Sequence, residues 1–291
     1  MTAVAASRQE RPGPAGLIWH QVRYQNKIFW RTPIAAFFTI AFPLMFLFVF
    51  TAVFGNDEIT ELGITTAQFY APALAVFAAA SATYTNLSIG TTISRDEGIL
   101  KRIRGTPLPP WIYLTGRVGS AVWIAVLAVT LMMTVGVLVY DVSIFWAKMP
   151  ALVLSFLVGV GCFAALGLML AAFVPSGDAA PAVANATLLP LAFVSDIFIV
   201  STEAPAWIDF VGDLFPLKHF AEAFSDGFNP TLTGNGFAWS GGTGEYAIGV
   251  HLAVMAAWGV GAALLALRFF TWEPRGGERR GMRRGKPERV D

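Results

Sequence analysis

The stretch that decides the fold is residues 34–54, IAAFFTIAFPLMFLFVFTAVF. It carries no charged side chain, and an α-helix needs about 20 apolar residues to cross the hydrocarbon core of a bilayer. Further apolar stretches of similar length follow at approximately 67–92, 118–140, 150–174, 180–200 and 246–270. The pattern predicts an all-α polytopic membrane protein with six transmembrane helices.

The basic residues lie outside these stretches, on alternating connections. If the N-terminus is cytoplasmic, the cytoplasmic side holds all of the 20 Lys and Arg residues except Lys148 and Lys218. The positive-inside rule therefore predicts a multi-pass protein of the plasma (inner) membrane with both termini in the cytoplasm. We interpret residues 1–15 as a disordered N-terminus, 16–272 as the transmembrane domain and 273–291 as a basic cytoplasmic tail.

An amphipathic segment, residues 16–32, precedes the first span. Its polar residues recur every three or four positions and form one stripe, made of His20, Arg23, Lys27 and Arg31. This spacing is typical of a helix that lies in the plane of the membrane interface. The helix either anchors the N-terminus only, or its polar face forms part of a docking surface for a soluble partner.

The loop after the second span reads SRDEGILKRIRGTPL, residues 94–108. Ser94 and Glu97 have the spacing of a capping box, while Gly105 and Pro107 end the pattern. We therefore predict a short helix over residues 95–104. A helix of this length is marginal in water, so it needs a partner or the membrane ends to pack against.

Two groups of residues carry a family resemblance. The first is Glu97, Gly98, Leu100, Thr106, Pro107 and Leu108, and the second is Pro190, Phe193, Ser195, Phe198, Pro205, Trp207, Pro216 and Phe220. At these places in the chain they resemble the permeases of ABC-2 type transporters, the class that includes the daunorubicin-resistance exporters. The resemblance covers essentially the whole chain.

The resemblance implies a permease whose ATP is hydrolysed by another polypeptide. Consistent with this, the sequence has no G-x-x-x-x-G-K-[ST] phosphate loop. We expect no cofactor on this chain, with ATP and Mg on the partner subunit. The residues expected to couple the two subunits are Arg95, Asp96, Glu97, Gly98, Leu100, Lys101, Arg102, Arg104, Thr106 and Pro107.

Polar residues within the apolar stretches are candidates for a translocation pathway: Asn86, Asn185, Ser195 and Asp196. Such groups usually bond to neighbouring helices, and lining a cavity is the alternative. Asp196 is a departure, because permeases of this kind commonly have Gly or Asn after the serine. This acid either lines the pathway or already lies among the outer headgroups.

The segment between the last two spans is too apolar for a plain loop. Helix-like runs containing Pro205, Trp207, Pro216 and Phe220 predict a hairpin that re-enters the outer leaflet. The hairpin either closes the outer end of a pathway or only caps the bundle. Residues 229–244 are rich in Gly, Asn, Ser and Thr, which predicts a flexible loop.

Other residues predict packing rather than chemistry. Small residues in the fourth span, among them Gly159, Gly161 and Gly167, favour close approach of helices. His20, His219 and His251 are expected in different compartments, so we predict no metal site. No nucleophile has a base at recognisable spacing, which argues against catalysis by this chain.

Two functions of different classes remain open. The first is the membrane subunit of an exporter for a drug, lipid or glycolipid, partnered by an ATP-binding cassette ATPase and by a second permease copy or a related permease. Membrane lipid, but no nucleic acid, is an expected partner. The second is an ion-coupled secondary transporter or a membrane-embedded enzyme that acts without an ATPase. We see no internal repeat of the kind common in secondary carriers.

Overall fold

The computed structural model describes residues 13–59, 63–198, 205–229 and 248–274. Predictions for residues 1–12, for 230–244 and for the tail from 275 onward lie outside the described residues. So do the last two positions of the predicted span at 180–200 and the first two of the span at 246–270.

The elements of the described chain are numbered in chain order. They are α1 Pro14–Trp30, α2 Pro33–Phe54, β1 Glu58–Ile59, β2 Ile64–Thr65, α3 Thr66–Asp96, α4 Ile99–Arg104, α5 Pro110–Tyr140, α6 Met149–Phe173, α7 Ala180–Phe193, α8 Ala206–Leu214, α9 Pro216–Ser225 and α10 Ile248–Phe269. The two strands pair antiparallel. Helices α2 and α3 each contain one π-helical turn, at Phe37–Ala41 and Ser81–Thr85.

Among the described residues, five helices are long and apolar enough to cross a membrane: α2, α3, α5, α6 and α10. The 22 residues of α2 and of α10 rise about 33 Å, and the 31 residues of α3 and of α5 about 46 Å. Both lengths exceed the hydrocarbon core of about 30 Å. The all-α membrane class and five of the predicted spans are therefore confirmed.

The predicted span at 180–200 contains a shorter helix. Helix α7 has 14 residues and rises only about 21 Å. It ends at Phe193, soon after Pro190, and the chain then turns at Asp196, whose φ of 56° is left-handed. The described residues thus contain no sixth long helix, and the count of six crossings is not confirmed.

Helix α3 lies at the centre of the bundle and runs between its two ends. At one end, the Arg95 end, the side chain of Arg95 contacts the last turn of α6. At the other, the Gln68 end, the Gln68 amide donates hydrogen bonds to the carbonyl oxygens of Ser143 and Phe228. The connection after α5 and the segment after α9 therefore meet at the Gln68 end.

A glycine brings α6 directly onto the backbone of α3. A Cβ atom at Gly167 would lie 2.8 Å from the carbonyl oxygens of both Thr83 and Tyr84, in the π-helical turn of α3. Gly161 is different, because nothing lies within 4 Å of its Cβ position and the residue is exposed. The prediction of close packing holds for Gly167, but it is wrong for Gly161 within this chain.

Helices α8 and α9 form a hairpin, of which α9 packs against the spans α3, α6 and α10. At its tip, the Phe215 ring stacks on Trp258 of α10 with 5.6 Å between centroids, and the Trp258 indole donates to the Leu214 carbonyl at 3.0 Å. Helix α9 runs along α6, where the Phe220 ring occupies the space that a Cβ at Gly159 would need. Helix α9 is thus part of the helix bundle, whereas α8 leaves Trp207 and Phe210 exposed.

Candidate functional site

The Arg95 side chain fastens the end of α3 to the end of α6. It is 1% exposed, and its Nη1 and Nη2 atoms donate to the carbonyl oxygens of Ala171 and Val174, each at 2.8 Å. These carbonyls belong to the last turn of α6, where helix carbonyls lack intrahelical partners and the helix dipole favours a cation. Arg95 therefore acts as a charged cap on a neighbouring helix.

Asp96 extends this contact to the next connection. One carboxylate oxygen lies 3.1 Å from Arg95 Nε, and the other accepts a hydrogen bond from the Gly177 backbone N–H at 2.6 Å. Gly177 lies between α6 and α7. We call Arg95 and Asp96, with the three backbone groups they bind, the Arg95 clamp.

The predicted capping box at Ser94 is not formed. Helix α3 continues through Asp96, and the Ser94 hydroxyl donates back to the Gly90 carbonyl at 2.7 Å, as an interior helical serine does. Glu97 ends α3, and Gly98 reverses the chain with φ 72° before α4 begins. The predicted helix at 95–104 is therefore wrong at its start, because the clamp holds Arg95 and Asp96 in the preceding helix.

Helix α4 presents a charged surface at the Arg95 end. Leu100 is fully buried and holds the helix against the bundle. The other predicted coupling residues beyond the clamp are mostly exposed: Glu97, Lys101, Arg102, Arg104, Thr106 and Pro107. The segment is therefore fixed on one side and free to contact another molecule on the other.

The helix predicted for the segment at 16–32 is present as α1, and its place in a docking surface stays a prediction. Its polar residues His20, Arg23, Lys27 and Arg31 are all exposed. The helix packs across the first turns of α5, where a Cβ atom at Gly116 would overlap the Gln21 side chain. Arg117 of α5 donates a hydrogen bond to the Ser94 hydroxyl of α3 at 3.2 Å. This bond links the first turns of α5 to the helix end that carries the Arg95 clamp.

The four candidate pathway residues lie in different surroundings. The Asn86 amide donates to the Thr39 hydroxyl of α2 at 2.7 Å, which is a bond between helices. Asn185 is exposed on α7, whereas Ser195 is fully buried. Their role in transport stays a prediction.

Asp196 belongs to a cluster of charges around Lys218 of α9. The Lys218 ammonium lies 3.9 Å from Asp196, 3.4 Å from Asp209 and 2.9 Å from Asp213. Burial alone would lower the pKa of Lys218, but the bond to Asp213 and the surrounding negative charges raise it instead. Asp196 therefore ties the turn after α7 to the hairpin.

A second charged contact closes the Gln68 end. Lys148, just before α6, and Asp226, just after α9, are both buried and lie 3.2 Å apart. Burial raises the pKa of Asp226, and the charge of Lys148 acts in the opposite direction. The pair joins the two connections that the Gln68 amide also links.

The hairpin also brings two histidines together. His219 of α9 and His251 of α10 are buried, with their Nδ1 atoms 2.9 Å apart, and a Glu222 carboxylate oxygen lies 3.5 Å from His251 Nδ1. Burial raises the pKa of Glu222 to about 8, while the nearby Lys218 acts to lower it. The sequence prediction that these histidines lie in different places is wrong.

The sequence does contain a signal for this cluster. His251 lies within the apolar run of the last span, and an ionisable residue there marks a functional hypothesis. His219 and Glu222 are three positions apart, which places them on one face of a helix. What the sequence lacks is any indication that α9 packs on α10.

Comparison with known protein families identifies the family of this chain. Residues 16–229 match the family model described as ABC-2 type transporter. The chain belongs to the ABC-2 type transporter family. The matched region includes α1, the Arg95 clamp, α4 and the hairpin, so the family resemblance seen in the sequence is confirmed.

Two curated relatives are transport permeases by name. The daunorubicin resistance ABC transporter permease protein DrrB1 of Streptomyces coeruleorubidus is 28% identical over 200 residues, which are 66% of this chain and 67% of the relative. A protein of Bacillus subtilis described as a transport permease, YvfS, is 25% identical over 182 residues, which are 62% of this chain and 73% of the relative. This ABC-2 family member is accordingly a multi-pass membrane protein of the transport-permease type.

Proposed function

We propose that this ABC-2 family member is the membrane subunit of an ATP-driven exporter. It moves an amphipathic or lipid-like substrate out of the cytoplasm or the inner leaflet. ATP and Mg bind to a separate ATP-binding cassette subunit, as is normal in this family. The observation that carries the proposal is the exposed α4 surface, which follows directly on the clamp between α3 and α6 at one end of an ABC-2 domain.

The Arg95 clamp explains how a short helix transmits motion. Because α4 has only six residues, it is marginal by itself in water. Leu100 is buried, and the adjoining clamp joins the end of α3 to the end of α6 and to the connection before α7. A push by the ATPase on α4 therefore reaches several helices together.

We also propose six crossings, with both chain ends on the cytoplasmic side. Helix α7 starts beside the Arg95 end, where Asp96 binds Gly177, whereas His251 near the start of α10 lies beside the hairpin. Arg104 lines a surface cavity with Phe270–Pro274 after α10, which returns the chain to the Arg95 end. In this arrangement the short α7 belongs to the sixth crossing.

A dimer and a pathway between its copies complete the proposal. Asn185 is exposed on the apolar helix α7, and an amide in hydrocarbon seeks a partner on another helix. A second copy of this chain, or a related permease, supplies the hydrogen-bond partner of Asn185. In this arrangement the hairpin, with Pro205, Trp207, Pro216 and Phe220, closes the outer end of the path.

The substrate class rests on two observations. One relative is named for daunorubicin resistance, and this chain contains 24 Phe residues, which suit an amphipathic molecule entering from the membrane. Drug, lipid and glycolipid all fit this description. Drug sensitivity and membrane lipid composition, compared with and without the gene, distinguish them.

The docking role of α4 predicts a charge-reversal phenotype. We expect the double variant Lys101→Glu and Arg102→Glu to insert normally but to lose at least about tenfold of the ATPase co-purifying with it, since like charges at a contact oppose association. The measurement is pull-down of a co-expressed ATP-binding cassette subunit, followed by transport in vesicles. The matched comparison is the double variant Arg23→Glu and Lys27→Glu on α1, which reverses the same number of charges.

The outcomes distinguish the alternative roles of α1 and the alternative functions of the chain. Loss with the α4 pair alone leaves α1 as an anchor, whereas loss with both pairs makes α1 part of the docking surface. If the permease without any ATPase carries substrate down an ion gradient, and the α4 variant does so normally, the exporter proposal fails. The ion-coupled transporter then takes its place.

The proposed orientation predicts which cysteines an impermeant reagent reaches. Glu58→Cys, between α2 and α3, should be labelled in intact cells, whereas Lys101→Cys and Glu273→Cys should be labelled only after permeabilisation. All three positions are exposed, and the native Cys162 is buried. Labelling of Lys101→Cys in intact cells contradicts the orientation.

A further inference from the structure

The cluster between α9 and α10 has the composition of a metal site. Each of His219, Glu222 and His251 offers one ligand atom, and these three atoms all lie within 4.8 Å of one another. His219 and Glu222 stand three residues apart on α9, a spacing that aims both side chains the same way. His251 faces them from α10, so the site joins the hairpin to a membrane span.

The distances suit a tetrahedral ion. Zinc binds imidazole nitrogen at about 2.0–2.1 Å and carboxylate oxygen at a similar distance, which separates neighbouring ligand atoms by about 3.3 Å. The two Nδ1 atoms are 2.9 Å apart, and the Glu222 oxygen is 3.5 Å from His251 Nδ1. For these two pairs, shifts of a few tenths of an ångström reach the ligand spacing, whereas the third pair, His219 with Glu222, lies within 4.8 Å and closes by rotation of the Glu222 side chain.

His219 is already oriented as a ligand. Its Nε2 atom lies 2.8 Å from the backbone carbonyl of Asp213, so the Nε2–H donates to that oxygen. The Nδ1 lone pair then points toward His251. Metal-binding histidines almost always donate their second ring N–H to a carbonyl or carboxylate in this way, which fixes the tautomer and the ring orientation.

The surroundings favour a cation and limit which cation fits. Both imidazoles are buried, at 2% and 0% exposure, and the Glu222 side chain is 17% exposed, which leaves an approach from one side. A partly buried carboxylate is stabilised by a positive charge beside it. Two imidazoles with one carboxylate suit Zn²⁺ and related transition metals, whereas Mg²⁺ and Ca²⁺ prefer all-oxygen sites.

We propose that His219, Glu222 and His251 bind Zn²⁺, or a divalent transition metal of similar preference, and thereby pin the α8–α9 hairpin to α10. Three protein ligands leave a fourth position for water. The ion takes the place of the proton in the hydrogen bond between the two Nδ1 atoms, and both imidazoles then bind the same metal. The hairpin is then held more firmly against the bundle than a single hydrogen bond allows.

The test uses the whole chain, purified in detergent without a polyhistidine tag and treated with a chelator. Co²⁺ is titrated while the visible absorption of tetrahedral cobalt is recorded, and Zn²⁺ is then added to displace it. We expect saturation at one ion per chain, with Zn²⁺ raising the midpoint of thermal unfolding because a ligand that binds the native state stabilises it. Mg²⁺ should cause neither effect.

Glu222→Gln is the central variant, since it keeps the side-chain volume while removing the anionic ligand. We expect its Co²⁺ affinity to fall at least about tenfold, with size-exclusion behaviour unchanged in the absence of metal. His20→Ala, which removes the exposed histidine on α1, should bind as the unmodified protein does. His251→Ala should abolish the cobalt spectrum.

Two results overturn the proposal. In the first, the unmodified chain shows no saturable one-to-one binding. In the second, Glu222→Gln binds Co²⁺ as tightly as the unmodified chain. Either result assigns the histidines to a hydrogen-bonded brace, and neither bears on ATP-driven transport, because the measurement contains no ATPase subunit.

Discussion

Replacing Arg95 with Ala is expected to destabilise this permease by about 3–5 kcal/mol, the cost typical of removing one partner from a buried charged contact. The change strips the Ala171 and Val174 carbonyls of their donors and leaves Asp96 without its cation. The end of α3 then separates from the end of α6. We therefore expect a lower midpoint of thermal unfolding and, in surviving protein, ATP hydrolysis that no longer drives transport.

Two control variants distinguish the loss of the two carbonyl hydrogen bonds from the loss of a positive charge. Arg95→Lys keeps a cation, but a single ammonium lacks the planar fork that reaches two carbonyls, so it should recover only part of the stability. Arg104→Ala removes an exposed arginine nearby and should change the unfolding free energy by less than about 0.5 kcal/mol. Equal stability of Arg95→Ala and Arg104→Ala would contradict the clamp.

The second large effect is expected at Gly167. Gly167→Ala places a methyl group 2.8 Å from two carbonyl oxygens of α3, and backbone atoms in the middle of a span yield less readily than a side chain. Overpacking typically costs about 1–3 kcal/mol, and we expect a value near the top of that range. Separation of α6 from α3 should also reduce transport, measured in the same vesicles.

Gly161→Ala is the matched control on the same helix. Nothing lies within 4 Å of its Cβ position, and Ala is a better helix former than Gly by roughly 0.5–1 kcal/mol. We therefore expect this variant to be neutral or slightly stabilising in the purified monomer. If both glycine variants lose the same stability, contact with the α3 backbone does not set Gly167 apart from Gly161, and the packing explanation is wrong. Loss of dimer alone in Gly161→Ala assigns this glycine to an interface between copies.

Much of the architecture follows from local sequence. Five spans are predictable because apolar length and absence of charge are properties of one segment and its solvent. The amphipathic α1 follows from the spacing of His20, Arg23, Lys27 and Arg31, and the family follows from Glu97, Gly98, Thr106 and Pro107. Each of these features depends only on neighbouring positions in the chain.

Local signals fail where a distant segment competes with them. Ser94 and Glu97 have the spacing of a helix start, but α3 continues because Arg95 and Asp96 bind groups near α6 and α7. Similarly, the apolar stretch at 180–200 has the length of a span, yet its helix ends at Phe193. Beyond that helix, Asp196 pairs with Lys218 across the hairpin.

The sequence by itself determined that this chain is a helical membrane protein of the ABC-2 family, with basic residues gathered on alternating connections. Only the tertiary structure decided that Gly167 packs while Gly161 does not, that Arg95 is a buried cap, and that His219 meets His251. The physical reason is that hydrophobic periodicity records how a segment meets its solvent. Which helix lies beside which depends on packing between segments far apart in the chain, and this packing places the proposed metal ligands together.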